Sequence, residues 1–434
     1  MEEMIFLEDI FKTYLNHSKN CFFKPDCIVD IIVPIYNGYE LLIPMLASME
    51  RTNVNYHLFL INDCSPDSRI SPYLHLYSRQ HDNVTVIENE ANKGYIKSVN
   101  QGFLRSKHHA VLLNTDIILP ENWLERLIYP ILCDNKVASV TPFSNAAYLC
   151  SFPVADENNP LLKQLTPSEI DQHFASIKPN YPSIPTGVGF CMALNRNVLD
   201  EIGIYNEEEY IEAYAEENDW CQHAIQAGYK NVLADNLFVY HKHHASYGQK
   251  DVSTIRTHNA QVLQMKFPYF FYDVQDYISK QQNTELINLL ILLCCCNDKR
   301  APTCLLLTSS LKSHTKLLET PRLKKLLEQD ASILLLTNHV TDYILYFFNQ
   351  TYHFQYAIHN LSFLSTLCKT LSVTEIELHD LYSCPSLFGI LDQILGIREE
   401  TSCRLTVSHH FATLLKSIYG DLPDIDYLPA NEDD

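Results

Sequence analysis

The sequence predicts an α/β fold built on a largely parallel sheet, and three observations carry that expectation. Apolar, β-branched runs alternate with stretches of helical spacing, polar turn-forming clusters close the runs, and strand-like segments start again near residue 301. The first run, Ile28-Val29-Asp30-Ile31-Ile32-Val33-Pro34-Ile35, is closed by Tyr36-Asn37-Gly38. Helical spacing over Glu40–Met49 follows. A second run, His57–Ile61, ends at Asn62-Asp63-Cys64-Ser65-Pro66-Asp67. A third, Val84–Ile87, ends at Glu88–Gly94, before a helical pattern through Arg105. The fourth, Ala110–Leu113, ends at Asn114-Thr115-Asp116. Parallel sheets bind ligands at the carboxyl ends of their strands, and the polar clusters fall at those ends.

Prolines spaced from Pro142 to Pro185 make residues 141–185 read as a long irregular loop over the site. The α/β pattern resumes at Gly187–Leu194 and runs to about Gly248. The expected organisation is therefore an N-terminal extension (1–27), a first α/β domain (28–248), a helical linker (249–300) and a second α/β domain (301–434). The strand-like segments of the last part are Cys304–Thr308, Ile333–Leu336, Phe354–Ile358, Glu375–Leu378 and Leu405–Val407, ahead of an acidic tail, Asn431–Asp434.

The 434 residues are 46% hydrophobic and 19% charged, enough to bury a sizeable core in two or three domains. Thirty-two Lys+Arg against 52 Asp+Glu give a formal charge of −20, which disfavours nucleic acid and anionic lipid surfaces as partners. Fourteen cysteines show no CxxC pair and no zinc-finger spacing, and several sit in apolar runs such as Cys294-Cys295-Cys296. That usage fits reduced thiols. Residues 1–27 lack the basic start and apolar run of a secretory signal, and Leu286–Cys296 is too short to span a bilayer. The expected location is the cytoplasm.

Four polar clusters bear on chemistry, and each has a plain reading beside the functional one. Asp63 can accept a hydrogen bond from a nucleobase N–H, or simply form a turn. Asp116 can hold a hard divalent cation, or cap the following helix. Glu216, Glu217 and Asp219 crowd three carboxylates into four residues, which can raise one pKa into the range of a general base. Acids in a first helical turn also stabilise the helix dipole. His241, after Val239-Tyr240, is either a metal ligand or a partly buried imidazole with His243 and His244 nearby.

Taken in order, these stretches resemble the family 2 glycosyltransferases of the GT-A fold, closest to rhamnosyltransferase-like members of bacterial surface-polysaccharide assembly. The resemblance covers residues 28–248. It rests on Ile31-Ile32-Val33-Pro34-Ile35-Tyr36-Asn37, Asn62–Asp67, Asn92-Lys93-Gly94 with Asn100-Gln101-Gly102, and Leu113-Asn114-Thr115-Asp116. It continues through Gly189-Phe190-Cys191-Met192, Glu216-Glu217-Asn218-Asp219-Trp220-Cys221 and Val239-Tyr240-His241. It implies a Rossmann-like domain in which Pro34, Tyr36, Asp63, Asn92, Gly94 and Thr115 bind the nucleotide. Asp116, the surviving acid of a DxD motif that here begins with Asn114, would hold Mg²⁺ or Mn²⁺ with His241. Glu217 would be the general base, with Asp219 its competitor.

The implied reaction is inverting transfer from a UDP- or dTDP-sugar to a glycan, lipid-linked saccharide or protein, by a protein working beside membrane-bound assembly machinery at the inner face. The second α/β part weakly resembles the first half of a GT-B glycosyltransferase through Glu375–His379, Cys384–Phe388 and Leu405–His410. A docking role is the plainer reading, so His379, His409 and His410 receive no catalytic role. A nucleotidyltransferase would need a basic grip after the first strand, where Tyr36-Asn37-Gly38-Tyr39-Glu40 stands. The other alternative is a non-catalytic glycan-binding or scaffold protein on the same fold.

Overall fold

The computed structural model describes residues 5–15, 26–242, 253–280, 282–308, 320–339, 342–379, 391–407, 409–419 and 425–427. His243, His244, Cys384–Phe388, Asn431–Asp434 and the side chains of His409 and His410 lie outside the described residues. The chain falls into two compact units, one from His17 to Thr284 and one combining Met1–Asn16 with Glu285–Asp434.

In the first unit the strands are β1 (Ile28–Ile35), β2 (Asn55–Asn62), β3 (Val84–Glu88), β4 (His109–Leu113), β5 (Ile117–Ile118), β6 (Val137–Phe143), β7 (Ser183–Ile184), β8 (Cys191–Leu194), β9 (Lys230–Phe238) and β10 (Tyr240–His241). Eight of them form one sheet in the order β3-β2-β1-β4-β8-β6-β9-β7. Pairing is parallel throughout β3-β2-β1-β4 and between β6 and β9. The sheet is thus largely parallel, with β8 reversed between β4 and β6, and β7 reversed on the edge. Strands β1, β2 and β3 step outward in one direction, and β4 returns to the other side of β1. This strand-order reversal opens a crevice at the carboxyl ends of β1 and β4.

Helices cover the sheet: α1 (Leu7–Tyr14) belongs to the other unit, while α2 (Tyr39–Met49), α3 (Ile70–Gln80), α4 (Tyr95–Phe103), α5 (Trp123–Cys133), α6 (Pro167–Ser176), α7 (Arg196–Ile202) and α8 (Glu216–Gln226) follow in the first. The close approach of α4 to β1 requires glycine at 102, where a Cβ would come within 2.5 Å of Ile32. The expected loop over 141–185 is only partly irregular. It contains the end of β6, helix α6 and strand β7. Its prolines do not prevent this, because Pro167 sits in the first turn of α6, where no N–H is needed. Thr166 and Glu169 close a capping box at that end. Phe174 of α6 then packs among Phe143, Phe152 and Phe238 at centroid distances of 5.1–5.5 Å. Beneath it Arg126 of α5 pairs with Asp171 at 2.7 and 3.0 Å, both side chains buried.

Three helices, α9 (Ser253–Lys266), α10 (Phe270–Ser279) and α11 (Thr284–Cys296), lead into the second sheet. No helix of the described residues is long and apolar enough to cross a membrane. The second unit contains β11 (Thr303–Thr308), α12 (Pro321–Glu328), β12 (Ser332–His339), β13 (Asp342–Phe348), β14 (His353–Ile358), α13 (Leu364–Thr370), β15 (Glu375–Leu378), α14 (Leu391–Thr401), β16 (Arg404–Val407), α15 (His409–Tyr419) and β17 (Ile425–Tyr427). The sheet order is β14-β13-β12-β11-β15-β16-β17, with β13 and β14 antiparallel and the rest parallel. The five strand-like segments read from the sequence are all strands; β13 and β17 were not expected. One face of this sheet packs Cys304, Leu306, Ile333, Leu335 and Ile344 against Leu323 and Leu326 of α12. The N-terminal helix α1 joins this unit, with Leu7, Ile10 and Phe11 buried and Phe6 bridged to Ala357. The described cysteines are free thiols, most of them buried.

Candidate active site

Each turn at the carboxyl edge of the first sheet is tied to its neighbour. The Asn37 amide donates to Ser65 Oγ at 3.0 Å, and Asn37 Oδ1 accepts from the Asp67 amide at 3.3 Å. Pro34 is half-buried at the end of β1, and Tyr36 is exposed just beyond it. Asp63, buried directly after β2, accepts from the Lys93 amide and Asn89 Nδ2 at 2.8 Å each, and from the Gly94 amide at 2.9 Å. Its carboxylate therefore organises the 89–94 turn, with lone-pair capacity left for one more donor. Asn92 supports the same turn by accepting from the Gly94 amide at 3.0 Å. Gly94 has φ +86°, and a Cβ there would stand 3.2 Å from the Glu212 Cα, so conformation and space both demand glycine.

After β4 the chain places Thr115 and Asp116, both buried, before β5 pairs with β10. That pairing sets His241 opposite Ile117 and brings His241 Nε2 to 3.3 Å from Asp116 Oδ1. His241 Nδ1 lies 2.8 Å from the Ala146 carbonyl oxygen. A carbonyl only accepts, so Nδ1 carries a proton, and Nε2 faces the carboxylate either as a second N–H of the charged ring or as the lone pair of the neutral one. With the ring neutral, the two facing atoms suit a shared cation, and the carbonyl that fixes the tautomer plays the orienting part common to metal-binding histidines. Asn145 clamps the His241 backbone through two hydrogen bonds, and Phe190 stacks on its ring at 5.1 Å.

Helix α8 supplies the carboxylates. Its approach is bent, with Tyr214 and Ala215 both at φ +75°. Glu217 lines an open pocket of about 220 Å³ with Tyr148, Val188, Tyr214, Asn218 and Arg256. Burial pushes its carboxyl up to about 7, and its Oε2 has no hydrogen-bond partner. Glu216 is fully buried, and its pKa is raised well above the usual range by burial and then by Glu217. Asp219 faces elsewhere: it accepts from Tyr210 Oη at 2.9 Å and pairs with Lys266 Nζ at 2.5 Å. The segment Thr186–Phe190 joins the two halves of the site. Thr186 donates to Asn218 Oδ1 at 2.8 Å, Val188 lines the pocket, and Phe190 covers His241 while its carbonyl accepts from the Asn114 amide at 2.9 Å. Tyr148, Arg256 and Glu216 were not singled out for the site by sequence reasoning, except that Glu216 belonged to the acidic cluster.

Among the described residues one group of three His, Cys, Asp or Glu side chains is spaced to hold a metal, Asp30, His57 and His108. It lies toward the opposite end of the strands and is not part of this crevice.

Residues 30–203 match the family model for glycosyl transferase family 2. The matched stretch lies within the first unit and runs from β1 through α7, and that unit has the α/β fold expected of the GT-A type. No curated protein matches the chain by sequence. Among solved structures it is similar to GalNAc-T7 with UDP, GalNAc and Mn²⁺, at 15% identity and TM-score 0.43, covering 58% of this chain and 57% of that one. This chain thus spans just over half of that protein's length. It is also similar to the mannosyltransferase PcManGT from Pyrobaculum calidifontis in complex with GDP-Man and Mn²⁺, at 14% identity and TM-score 0.41, covering 73% and 87%. A third likeness is to S. aureus TarS 1–349, at 13% identity and TM-score 0.36, covering 62% and 80%.

Proposed function

We propose that the protein is a glycosyltransferase that moves a sugar, with inversion, from a UDP- or dTDP-sugar to a hydroxyl of a glycan, lipid-linked saccharide or protein. The observation that carries this reading is a carboxyl of pKa about 7, Glu217, linked through Thr186–Phe190 to the Asp116–His241 pair. Glu217, ionised near neutral pH, takes the proton of the acceptor hydroxyl as its oxygen attacks the anomeric carbon. The bond from that carbon to the diphosphate oxygen breaks on the opposite face. Asp116 and His241 would hold Mg²⁺ or Mn²⁺, which, when bound, neutralises the charge on the departing diphosphate. Asp63 uses its remaining lone pair for a nucleobase N–H. Pro34, Tyr36, Asn92, Gly94 and Thr115 wall the nucleotide side.

The second unit serves docking or acceptor choice beside membrane-bound assembly machinery for a surface polysaccharide. A thermal-shift screen of nucleoside diphosphates and nucleotide-sugars with Mn²⁺, followed by donor-hydrolysis assays, tests the reading. A ligand at 100 times its Kd adds about 2.7 kcal/mol of stability. Binding without turnover of any donor would favour a scaffold on a retained fold, and no response to any nucleotide would remove the donor assignment.

A further inference from the structure

Asp30 sits near the start of β1, where it is the register partner of His57 on β2. His108 lies just before β4, the other neighbour of β1. The Asp30 carboxylate is 1% exposed, and its Oδ2 accepts the amides of Lys107 at 2.6 Å and His108 at 2.8 Å. Those two bonds fix the carboxylate and leave Oδ1 toward the two rings. His57 Nδ1 stands 3.2 Å from Oδ1, and His108 Nδ1 stands 3.3 Å from the same oxygen and 3.2 Å from Oδ2. One donor atom from each residue lies within 4.8 Å of the others. The rings are separate, with centroids 5.7 Å apart and planes at 53°.

The ring-to-carboxylate distances of 3.2–3.3 Å lie at the long end of an N–H···O bond and also fit ligand atoms that share one ion. Around Zn²⁺, with bonds of about 2.0–2.1 Å, tetrahedral ligand atoms stand about 3.3 Å from one another. The two distances to Oδ1 match this edge. Two imidazoles and one carboxylate are a donor set for zinc-like ions rather than for Mg²⁺ or Ca²⁺. His57 is half exposed and His108 about one-third exposed at the side chain, so a fourth position opens to water. Asp30 is five residues from the end of β1, about 17 Å along the strand from the donor crevice, so this is a second site.

We propose that Asp30, His57 and His108 form a site for Zn²⁺ or a similar transition-metal ion, which clips β1 to both neighbouring strands at their amino-terminal ends. Full-length protein stripped with chelator is titrated with Co²⁺ and then Zn²⁺. One equivalent of Co²⁺ gives the visible absorption of a four-coordinate ion, Zn²⁺ displaces it, and Zn²⁺ raises the unfolding midpoint. In His57→Gln/His108→Gln both signals vanish, whereas Asp116→Asn keeps them. Should the double variant fail to fold, His57→Gln alone, at the half-exposed ring, weakens Zn²⁺ binding by at least roughly tenfold. An unchanged absorption band in the His variants, its loss in Asp116→Asn, or the absence of saturable binding in the unmutated protein overturns the proposal.

Discussion

His241 Nε2 faces Asp116 Oδ1 across 3.3 Å, with the opposite ring nitrogen committed to the Ala146 carbonyl. A lone pair and a carboxylate held this way repel unless a proton or a metal ion stands between them. The expected outcome is that nucleoside diphosphate binds tightly only with Mg²⁺ or Mn²⁺. Asp116→Asn and His241→Ala should each remove most of that dependence. Calorimetric titration of diphosphate with cation and with EDTA checks it. Equal affinity in EDTA would sink the assignment.

Glu217→Gln should retain donor binding and lose transfer by at least about 10²-fold, the low end for general-base catalysis. With a carboxyl at about 7, kcat/KM should fall tenfold per pH unit below 7 and level off above it. The same group acts on stability in the opposite sense to an ion-paired acid. Its folded pKa lies above the ordinary value of 4.5, so the folded protein holds the proton more tightly than the unfolded chain. The cost is absent below pH 4.5, grows as pH rises to about 7 and is constant beyond. Glu217→Gln should therefore raise the unfolding midpoint at pH 8 and leave it nearly unchanged at pH 4. Equal shifts at both pH values would deny the raised pKa.

Asp219→Asn should chiefly cost stability. Its carboxylate is held by Tyr210 and Lys266, and Lys266 keeps Glu209 at 2.7 Å when Asp219 loses its charge. A loss of roughly 1–3 kcal/mol is expected for weakening a buried hydrogen-bonded charge. Single-turnover transfer should stay near that of the unmutated protein. Lost transfer with intact donor binding, alongside an active Glu217→Gln, would reverse the two roles.

Arg126 and Asp171 form a buried pair that also accepts the Phe238 amide and donates to the Asn236 carbonyl. Burial keeps the Asp171 pKa raised despite the guanidinium beside it. Arg126→Met should cost roughly 3–5 kcal/mol, because it strands a carboxylate in the core. The double change Arg126→Met/Asp171→Leu should recover part of that loss. Urea unfolding of both variants tests it, and a double variant no better than the single one would place the cost in the Asn236 and Glu121 carbonyls that lose the guanidinium.

Legibility in the sequence followed the turns. Strands β1, β2 and β4 each end in a polar cluster, so the sequence by itself places Asp63 and Asp116 at strand ends. Strand β13 escaped because the turn after it, Asn349–Tyr352, holds no glycine or proline, and its apolar run merges with the next strand. Strand β9 carries Asp235 and Asn236, which break an apolar pattern. In the fold Asp235 is buried by accepting the Asn180 and Tyr181 amides. The helical spacing of Glu217 and Asp219 separates their directions, but the partners that occupy Asp219 come from nine and 47 residues away. Tyr148 and Arg256 reach the pocket from segments with no local signal. Asp30, His57 and His108 meet only because strand register brings them together.

A fragment spanning His17–Thr284 should bind nucleotide as the full chain does. Every side chain assigned to the donor site, from Pro34 to His241, lies between His17 and Thr284, a compact unit by itself. The cut precedes Leu286, so it spares the first unit the apolar face of α11, whose Leu286–Cys296 stretch would otherwise be exposed. The first helix supplies the complementary test. Leu7 is fully buried, and Glu8 accepts the amides of His359 and Asn360 beside β14, all within the other unit. Leu7→Ala should cost that unit roughly 2–5 kcal/mol, the usual range for truncating a buried leucine. Nucleotide affinity should not move. Differential scanning calorimetry of the full chain should show the change in the transition that is missing from the fragment. Loss of nucleotide affinity in a soluble, folded fragment, or in Leu7→Ala, would mean that the donor site draws on both units.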